Sequence, residues 1–319
     1  MLAFAQRVDC ALVVTQPDRP SGRGHRLAAT PVKVAAQSLG IRTLEPEKLR
    51  DVVRELAVVQ ADLFAVASYG KIVPQAVLDL ARLGALNVHP SLLPCYRGAT
   101  PLQSQIRDGV ADAGVTIIAM DAGMDTGDIV LAERSPIGPR ETYGSVHDRF
   151  AQLGADLLAR ACDAVVAGRA RPLPQALFGS AEDAERTRTR PIAKTDLEID
   201  WTTGARAVVD RIRSLAPAPG ARARFVAAVD ASVPDDASAL PLKILQARIA
   251  EPHDLAGEAD LAAFAAAAPG TLLAGRFVAT GSGFVVLERL VPPGRSAITG
   301  EEFARSPLAS VRAQPAAAR

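Results

Sequence analysis

Over the first 170 residues, short apolar runs alternate with amphipathic segments. Residues 10–15, 62–68, 85–89, 115–120 and 129–132 are runs of the kind found in strands buried on both faces, and 41–44 is a shorter one. Between them lie helix signals. Thr30 is placed as an N-cap with Pro31 at the first helical position, and Gly40 ends that helix. Residues 45–58 put Leu49, Val52, Val53 and Leu56 on one face. Residues 74–83, 98–108 and 143–167 complete the helices, the last opened by Thr142 and stopped by Gly168. Strands alternating with helices imply an α/β fold, a mostly parallel sheet covered by helices on both faces.

The pattern changes near residue 170. Residues 171–190 are polar and irregular, with Arg186, Arg188 and Arg190 close together. Ile199-Asp200-Trp201 leads into a helix near 203–215, and Pro217-Ala-Pro-Gly breaks it. Short strand-like pieces follow at 222–229, 242–249, 270–273, 277–280 and 283–290, as in a small antiparallel barrel or sandwich. The expected organisation is a domain over 1–170, a linker with a helix over 171–217, and a β domain over 218–310. The Ala-rich stretch 254–268 reads as a surface insertion, and the chain from about 314 as disordered.

Composition narrows the function classes. Of 319 residues, 49% are hydrophobic and 22% charged, enough for a core and against wholesale disorder. A net charge of +1 excludes a uniformly basic nucleic-acid binder but allows a local basic patch. Three scattered cysteines (Cys10, Cys95, Cys162) fit neither a disulfide scaffold nor a metal site. No apolar run is long enough to cross a membrane, and the N-terminus lacks a signal peptide's pattern. A protein of the reducing cytoplasm without a metal site is the expectation; no protein partner is implied, and a monomer is expected.

Candidate chemistry concentrates between residues 83 and 128. Asn87 and His89, two apart on a strand, point to one face at its carboxyl end, where open α/β sheets bind ligands. An amide donor and an imidazole converging there can stabilise an oxyanion and move a proton; alternatively they satisfy loop backbone. A carboxylate in the turn Asp121–Asp128 could hold the imidazole protonated and relay a proton. Spacing does not choose among Asp121, Asp125 and Asp128. Ser91-Leu92-Leu93-Pro94, stiffened by prolines, suits a flat heterocyclic ligand or a packed turn. Arg97-Gly98 is expected to open a helix whose N-terminus favours anions. Arg19, Arg23 and Arg26 make the long loop 16–29 basic, as a phosphate contact or a solvated face. There is no Walker loop, dinucleotide fingerprint or nucleophile elbow.

Asn-Val-His-Pro-Ser-Leu-Leu-Pro-x-Tyr-Arg-Gly, then Gly-Val-Thr and Met-Asp-x-Gly-x-Asp-Thr-Gly-Asp, resembles the 10-formyltetrahydrofolate-dependent formyltransferases. Thr-Gln-Pro-Asp-Arg-Pro-x-Gly-Arg-Gly, Pro-Val-Lys and Ile-Asp-Trp resemble the branch acting on methionyl-tRNA. The resemblance, from about residue 10 to about 305, implies a Rossmann-like formyltransferase domain followed by an oligonucleotide-binding-like (OB-like) β-barrel. It implies formyl transfer from 10-formyltetrahydrofolate to methionine on initiator methionyl-tRNA, for translation initiation. It selects Asn87, His89 and Asp125 as catalytic, Ser91, Leu92, Leu93 and Pro94 as the folate-binding segment, and Arg19, Arg23 and Arg26 as the tRNA loop, with Arg23 as the matching basic residue. The alternatives are a sugar-nucleotide N-formyltransferase with the same triad, and an inactive RNA-binding remnant. The family opens with a strand, a Gly-Thr-Pro turn and a helix. Here Leu2-Ala-Phe-Ala-Gln-Arg-Val-Asp resembles the end of that helix, so the first strand and most of that helix are expected to be missing.

Overall fold

The computed structural model describes residues 2–5, 8–21, 26–227, 240–255, 261–306 and 311–313. Arg23 and the segment from 314 onward, for which disorder is expected, lie outside the described residues. The chain forms two compact units. The first comprises Met1–Pro101, Asp112–Pro136 and Asp148–Arg190; the second comprises Leu102–Ala111, Ile137–His147 and Pro191–Arg319.

In the first unit a single helical turn, α1 (Leu2–Ala5), precedes β1 (Val13–Val14). A ribbon follows, β2 (Arg19–Ser21) antiparallel to β3 (Arg26–Ala28). Helix α2 (Pro31–Ser38) starts where the sequence predicts: Thr30 Oγ1 accepts the Lys33 N–H at 3.1 Å, with Pro31 in the first turn. β4 (Thr43–Leu44) pairs parallel with β1. The helix expected over 45–58 is a 3₁₀ turn at Leu49–Val52 followed by α3 (Val53–Val59), which keeps Leu49 and Leu56 buried. After β5 (Phe64–Ala67) the helix expected over 74–83 is regular only as α4 (Gln75–Leu78).

β6 (Ala85–His89) carries Asn87 and His89. Helix α5 (Pro101–Arg107) comes next in the chain, then β7 (Gly114–Ala119) and β8 (Ile129–Arg134). The sheet runs β5–β6–β7–β8. β5 and β6 are parallel, as expected, and β7 and β8 extend the sheet antiparallel. The short loop 120–128 explains the last pair, because a parallel return needs a crossover of a dozen or more residues. β1–β4 is a separate sheet, with no pairing between β1 and β5 among the described residues. α6 (Tyr143–Val166) is the long helix expected, and α7 (Ala181–Arg186) is capped by Ser180. Among the described residues, no helix is long and apolar enough to cross a membrane.

The second unit holds α8 (Ala205–Leu215), β9 (Ala221–Ala227), β10 (Leu240–Ile249), α9 (Pro252–Leu255) and α10 (Leu261–Ala265). It continues with β11 (Leu272–Leu273), β12 (Phe277–Ala279), β13 (Phe284–Val291), β14 (Ile298–Thr299), α11 (Gly300–Ala304) and β15 (Val311–Ala313). The sheet is antiparallel, in the order β11–β12–β13–β10–β9–β15, with β14 beside β13. It curves until β11 and β15, at its two ends, approach each other. On β9 the period-two pattern is regular: Ala221, Ala223 and Phe225 are buried, whereas Arg222 and Arg224 are exposed. The buried side packs against Trp201, Ile212, Leu242, Ile244 and Phe303. The Ala-rich stretch is not wholly a surface insertion. α10 buries Phe264 against Phe277 and Phe284, because one aromatic ring on a small-residue helix suffices to dock it.

Candidate functional site

β6 delivers Asn87 and His89 at its carboxyl end, as strand periodicity requires. The His89 side chain is 4% exposed, and Asn87 is half-buried. Nε2 of His89 lies 2.9 Å from the Tyr96 carbonyl oxygen. A carbonyl only accepts, so this nitrogen carries a hydrogen. Nδ1 faces Oδ1 of Asp125 at 3.5 Å. The Asn87 side-chain amide makes no hydrogen bond to any described residue, which leaves its donors for a ligand.

Three aspartates compete in the turn after β7, and the structure separates them. Asp121 caps the loop: Oδ1 accepts from the Gly123 N–H at 3.0 Å and from Thr126 Oγ1 at 2.7 Å. Asp128 is exposed. Asp125 alone of the three meets His89. Its backbone is left-handed, φ 57°, a conformation that Asp tolerates better than most residues. Oδ2 accepts the backbone N–H of Gly98 at 2.9 Å. Burial pushes the Asp125 carboxyl's pKa up, but His89, the Gly98 N–H and the Arg97 guanidinium together outweigh it and hold the group below its ordinary value.

The helix expected to open at Arg97-Gly98 starts three residues later, at Pro101. The Gly98 amide is therefore spent on Asp125 rather than offered to an external anion. Gly98 has φ +110°, and a Cβ there would collide with the Thr189 carbonyl. That carbonyl belongs to a strap from the stretch read as an irregular linker. Thr187 Oγ1 accepts the Tyr96 N–H at 2.9 Å, Thr189 N–H donates to the Arg97 carbonyl at 2.8 Å, and Thr189 Oγ1 accepts the Thr100 N–H at 3.0 Å. From the same stretch comes Gln175, 4% exposed. No local pattern marks Gln175, Thr187 or Thr189 as part of the site, since the partners that tie them to it lie 48 to 92 residues away in the chain.

The segment Ser91–Pro94 forms a tied turn. Ser91 Oγ donates to the Cys95 carbonyl at 2.7 Å, and Thr116 Oγ1 donates to the Ser91 carbonyl at 2.7 Å while accepting the Leu93 N–H at 3.2 Å. Ser91, Leu93 and Pro94 are buried, so Leu92 is the side chain of the four that keeps partial exposure. In the basic loop, Arg19 lies on β2, its guanidinium 3.6 Å from Glu47 and open to solvent. Arg26 begins β3. No ion pair or hydrogen bond joins Arg19 to Asn87, His89 or Asp125. At the root of the ribbon, Lys33 Nζ bridges Asp18 at 2.9 Å and Glu45 at 2.7 Å. Among the described residues, no three His, Cys, Asp or Glu side chains cluster as metal ligands.

The chain as a whole is similar to known proteins. A family model described as "Formyl transferase" matches residues 3–162, and one described as "Formyl transferase, C-terminal domain" matches residues 191–308. The chain is 47% identical over 213 residues to the methionyl-tRNA formyltransferase of Syntrophus aciditrophicus, a match spanning 66% of each protein, just under two thirds of that relative. To the methionyl-tRNA formyltransferase of Aromatoleum aromaticum it is 38% identical over 99% of this chain and 92% of the relative. In fold it is similar to HypX of Aquifex aeolicus, solved in complex with tetrahydrofolic acid, with a TM-score of 0.58 at 17% identity, over 91% of this chain and 46% of that one. With both family domains in place and one relative matched along nearly its full length, the chain belongs to the methionyl-tRNA formyltransferase family of formyl transferases.

Proposed function

We infer that this formyltransferase moves a formyl group from 10-formyltetrahydrofolate to the α-amino group of methionine on initiator methionyl-tRNA. The observation that carries the reading is the convergence of an unengaged Asn87 amide with a His89–Asp125 pair at the end of β6. A carbonyl that gains negative charge needs hydrogen-bond donors placed before the reaction, and the amine that attacks it must lose a proton. The site has groups for both tasks. The tetrahydrofolic acid complex of HypX supports a folate-type donor, and the relatives' names support the tRNA acceptor.

A free α-amino group has a pKa of about 8, so a neutral nucleophile is available near neutral pH. Its lone pair attacks the formyl carbon, and the carbonyl oxygen becomes an oxyanion. Asn87 donates to that oxygen directly. The Nε2–H of His89 joins it by exchanging the Tyr96 carbonyl for the substrate oxygen. Asp125 orients the ring and takes the proton shed by the attacking nitrogen, through water. When the oxyanion collapses, the bond from the formyl carbon to folate N10 breaks, and N10 leaves with the electron pair and gains a proton. Ser91–Pro94 presents the folate with Leu92 and a rigid backbone, and Arg19, Arg23 and Arg26 meet the tRNA phosphates.

The deciding assay offers the purified chain 10-formyltetrahydrofolate with either charged initiator tRNA or an amino-sugar nucleotide. Formyl-methionyl-tRNA as the product is the expected result. Exclusive formylation of the sugar nucleotide would transfer the reading to that class. RNA binding without formyl transfer to either acceptor would leave an inactive remnant.

A further inference from the structure

The Gln175 side chain is spent on the loops that hold the candidate carboxylate. It donates from Nε2 to two backbone carbonyls, Asp125 and Gly127, each at 2.8 Å. Its Oε1 accepts from Arg97 twice, from Nε at 3.1 Å and Nη2 at 2.6 Å. Both amide hydrogens and the carbonyl oxygen are engaged, and the residue is 4% exposed. The two carbonyls flank Thr126 in the turn that carries Asp125 in its left-handed conformation, φ 57°. A turn of this kind persists only where the surroundings over-determine it. Gly98, next to Arg97, gives its N–H to Asp125. Gln175 therefore joins the two loops that meet at the carboxylate, fixing one by its backbone and the other by its guanidinium.

The geometry points to Gln175 as the positioning residue for Asp125: it sets where the carboxylate stands relative to His89 without touching either substrate. This rests on the formyl-transfer reading above. A glutamate in its place keeps an oxygen for Arg97 but loses both donors to the turn and sets a carboxylate against two carbonyl oxygens. The tie to the turn and the tie to Arg97 are thus separable.

The test measures kcat and KM for both substrates, with unfolding curves, in the full chain and in Asp125→Asn, Gln175→Ala and Gln175→Glu. Transfer by the parent chain that Asp125→Asn abolishes establishes the underlying reading, and its failure there overturns reading and proposal together. Given that result, Gln175→Glu is expected to unfold earlier than the parent yet stay folded at the assay temperature, because two buried carbonyls lose their donor, with kcat lowered about 10- to 100-fold, as misplacement by about an ångström costs, and each KM within about twofold. Gln175→Ala should lose as much kcat or more. If Gln175→Ala does not fold, the near-isosteric Gln175→Glu decides alone. A parent-like kcat in Gln175→Glu, or a loss confined to KM, overturns the proposal.

Discussion

The carboxylate of Asp125 accepts the backbone N–H of Gly98 at 2.9 Å, so a glycine fixes the position of the candidate proton acceptor. Gly98 can approach because it has no side chain. Its φ of +110° is closed to L-residues, and the Thr189 carbonyl occupies the place of a Cβ. Gly98→Ala should therefore cost about 1–3 kcal/mol of stability by strain alone. It should also lower formyl transfer more than a stability loss of that size explains at temperatures where the variant is folded. Denaturant unfolding and steady-state kinetics on the same preparation check both.

The depressed pKa of Asp125 has a definite sign. Burial raises it, but His89, the Gly98 N–H and Arg97 bring it below the ordinary value. A carboxyl with a lower pKa folded than unfolded stabilises the fold above its unfolded pKa, and that contribution is lost as pH falls through the folded value. The stability advantage of the parent chain over Asp125→Asn should thus be constant near neutrality and shrink below about pH 4. For the same reason Asp125 adds no limb to the pH–rate profile above about pH 4, and kcat/KM should rise with pH as the acceptor α-amino group, near about 8, is deprotonated. A limb between pH 5 and 7 that disappears in Asp125→Asn would contradict this.

Asn87 lies beside His89 on one strand face, and the two differ in what already engages them. Asn87 is free among the described residues; His89 is tied to Tyr96 and faces Asp125. Removing a preorganised oxyanion donor lowers kcat by about 10²- to 10³-fold, which is expected for Asn87→Ala. His89→Ala and Asp125→Ala, which remove proton handling, should lose about 10²- to 10⁴-fold. The double variant of His89 and Asp125 should be little worse than either single one, since the two act as a unit.

Arg19 is open to solvent and only loosely paired with Glu47. If the ribbon carrying it meets phosphate, Arg19→Ala should raise KM for methionyl-tRNA and leave kcat near the parent value. The slope of log KM against log salt should flatten by roughly one unit. Titrating KM between low and moderate salt reads this, and an unchanged slope removes Arg19 from the tRNA surface.

What the sequence made legible follows from how local each signal is. Asn87 and His89 were placed by a period of two, and Thr30-Pro31 marked a helix start by cap chemistry, because both depend on neighbours in the chain. The choice of Asp125 over Asp121 and Asp128 was not available from spacing. It depends on a left-handed backbone and on an amide from Gly98, 27 residues away. Gln175 and the Thr187–Thr189 strap sit in a stretch with no periodicity, and their partners come from other loops. Phe264 reads as surface in the sequence because the alanines around it hide the one ring that docks the helix.

The second unit contains a buried ion pair whose energetics differ in kind from those on the surface. Arg213 and Asp210, with side chains 8% and 5% exposed, meet at 2.7 Å on one face of α8. The guanidinium also donates to the carbonyls of Gly138, Glu141 and Ile106, each at 3.3 Å. Removing one partner strands the other charge out of water, so Arg213→Met should destabilise the chain by about 3–5 kcal/mol. It also leaves three carbonyls without this donor. By contrast Arg82 and Asp62, 2.7 Å apart but with side chains 71% and 65% exposed, contribute little because solvent screens them. Arg82→Ala should therefore change stability by less than about 1 kcal/mol. Chemical denaturation of the two variants beside the parent chain decides. Equal effects would mean that the Arg213–Asp210 pair is solvated in solution, while the expected gap of several kcal/mol follows from the low dielectric around α8.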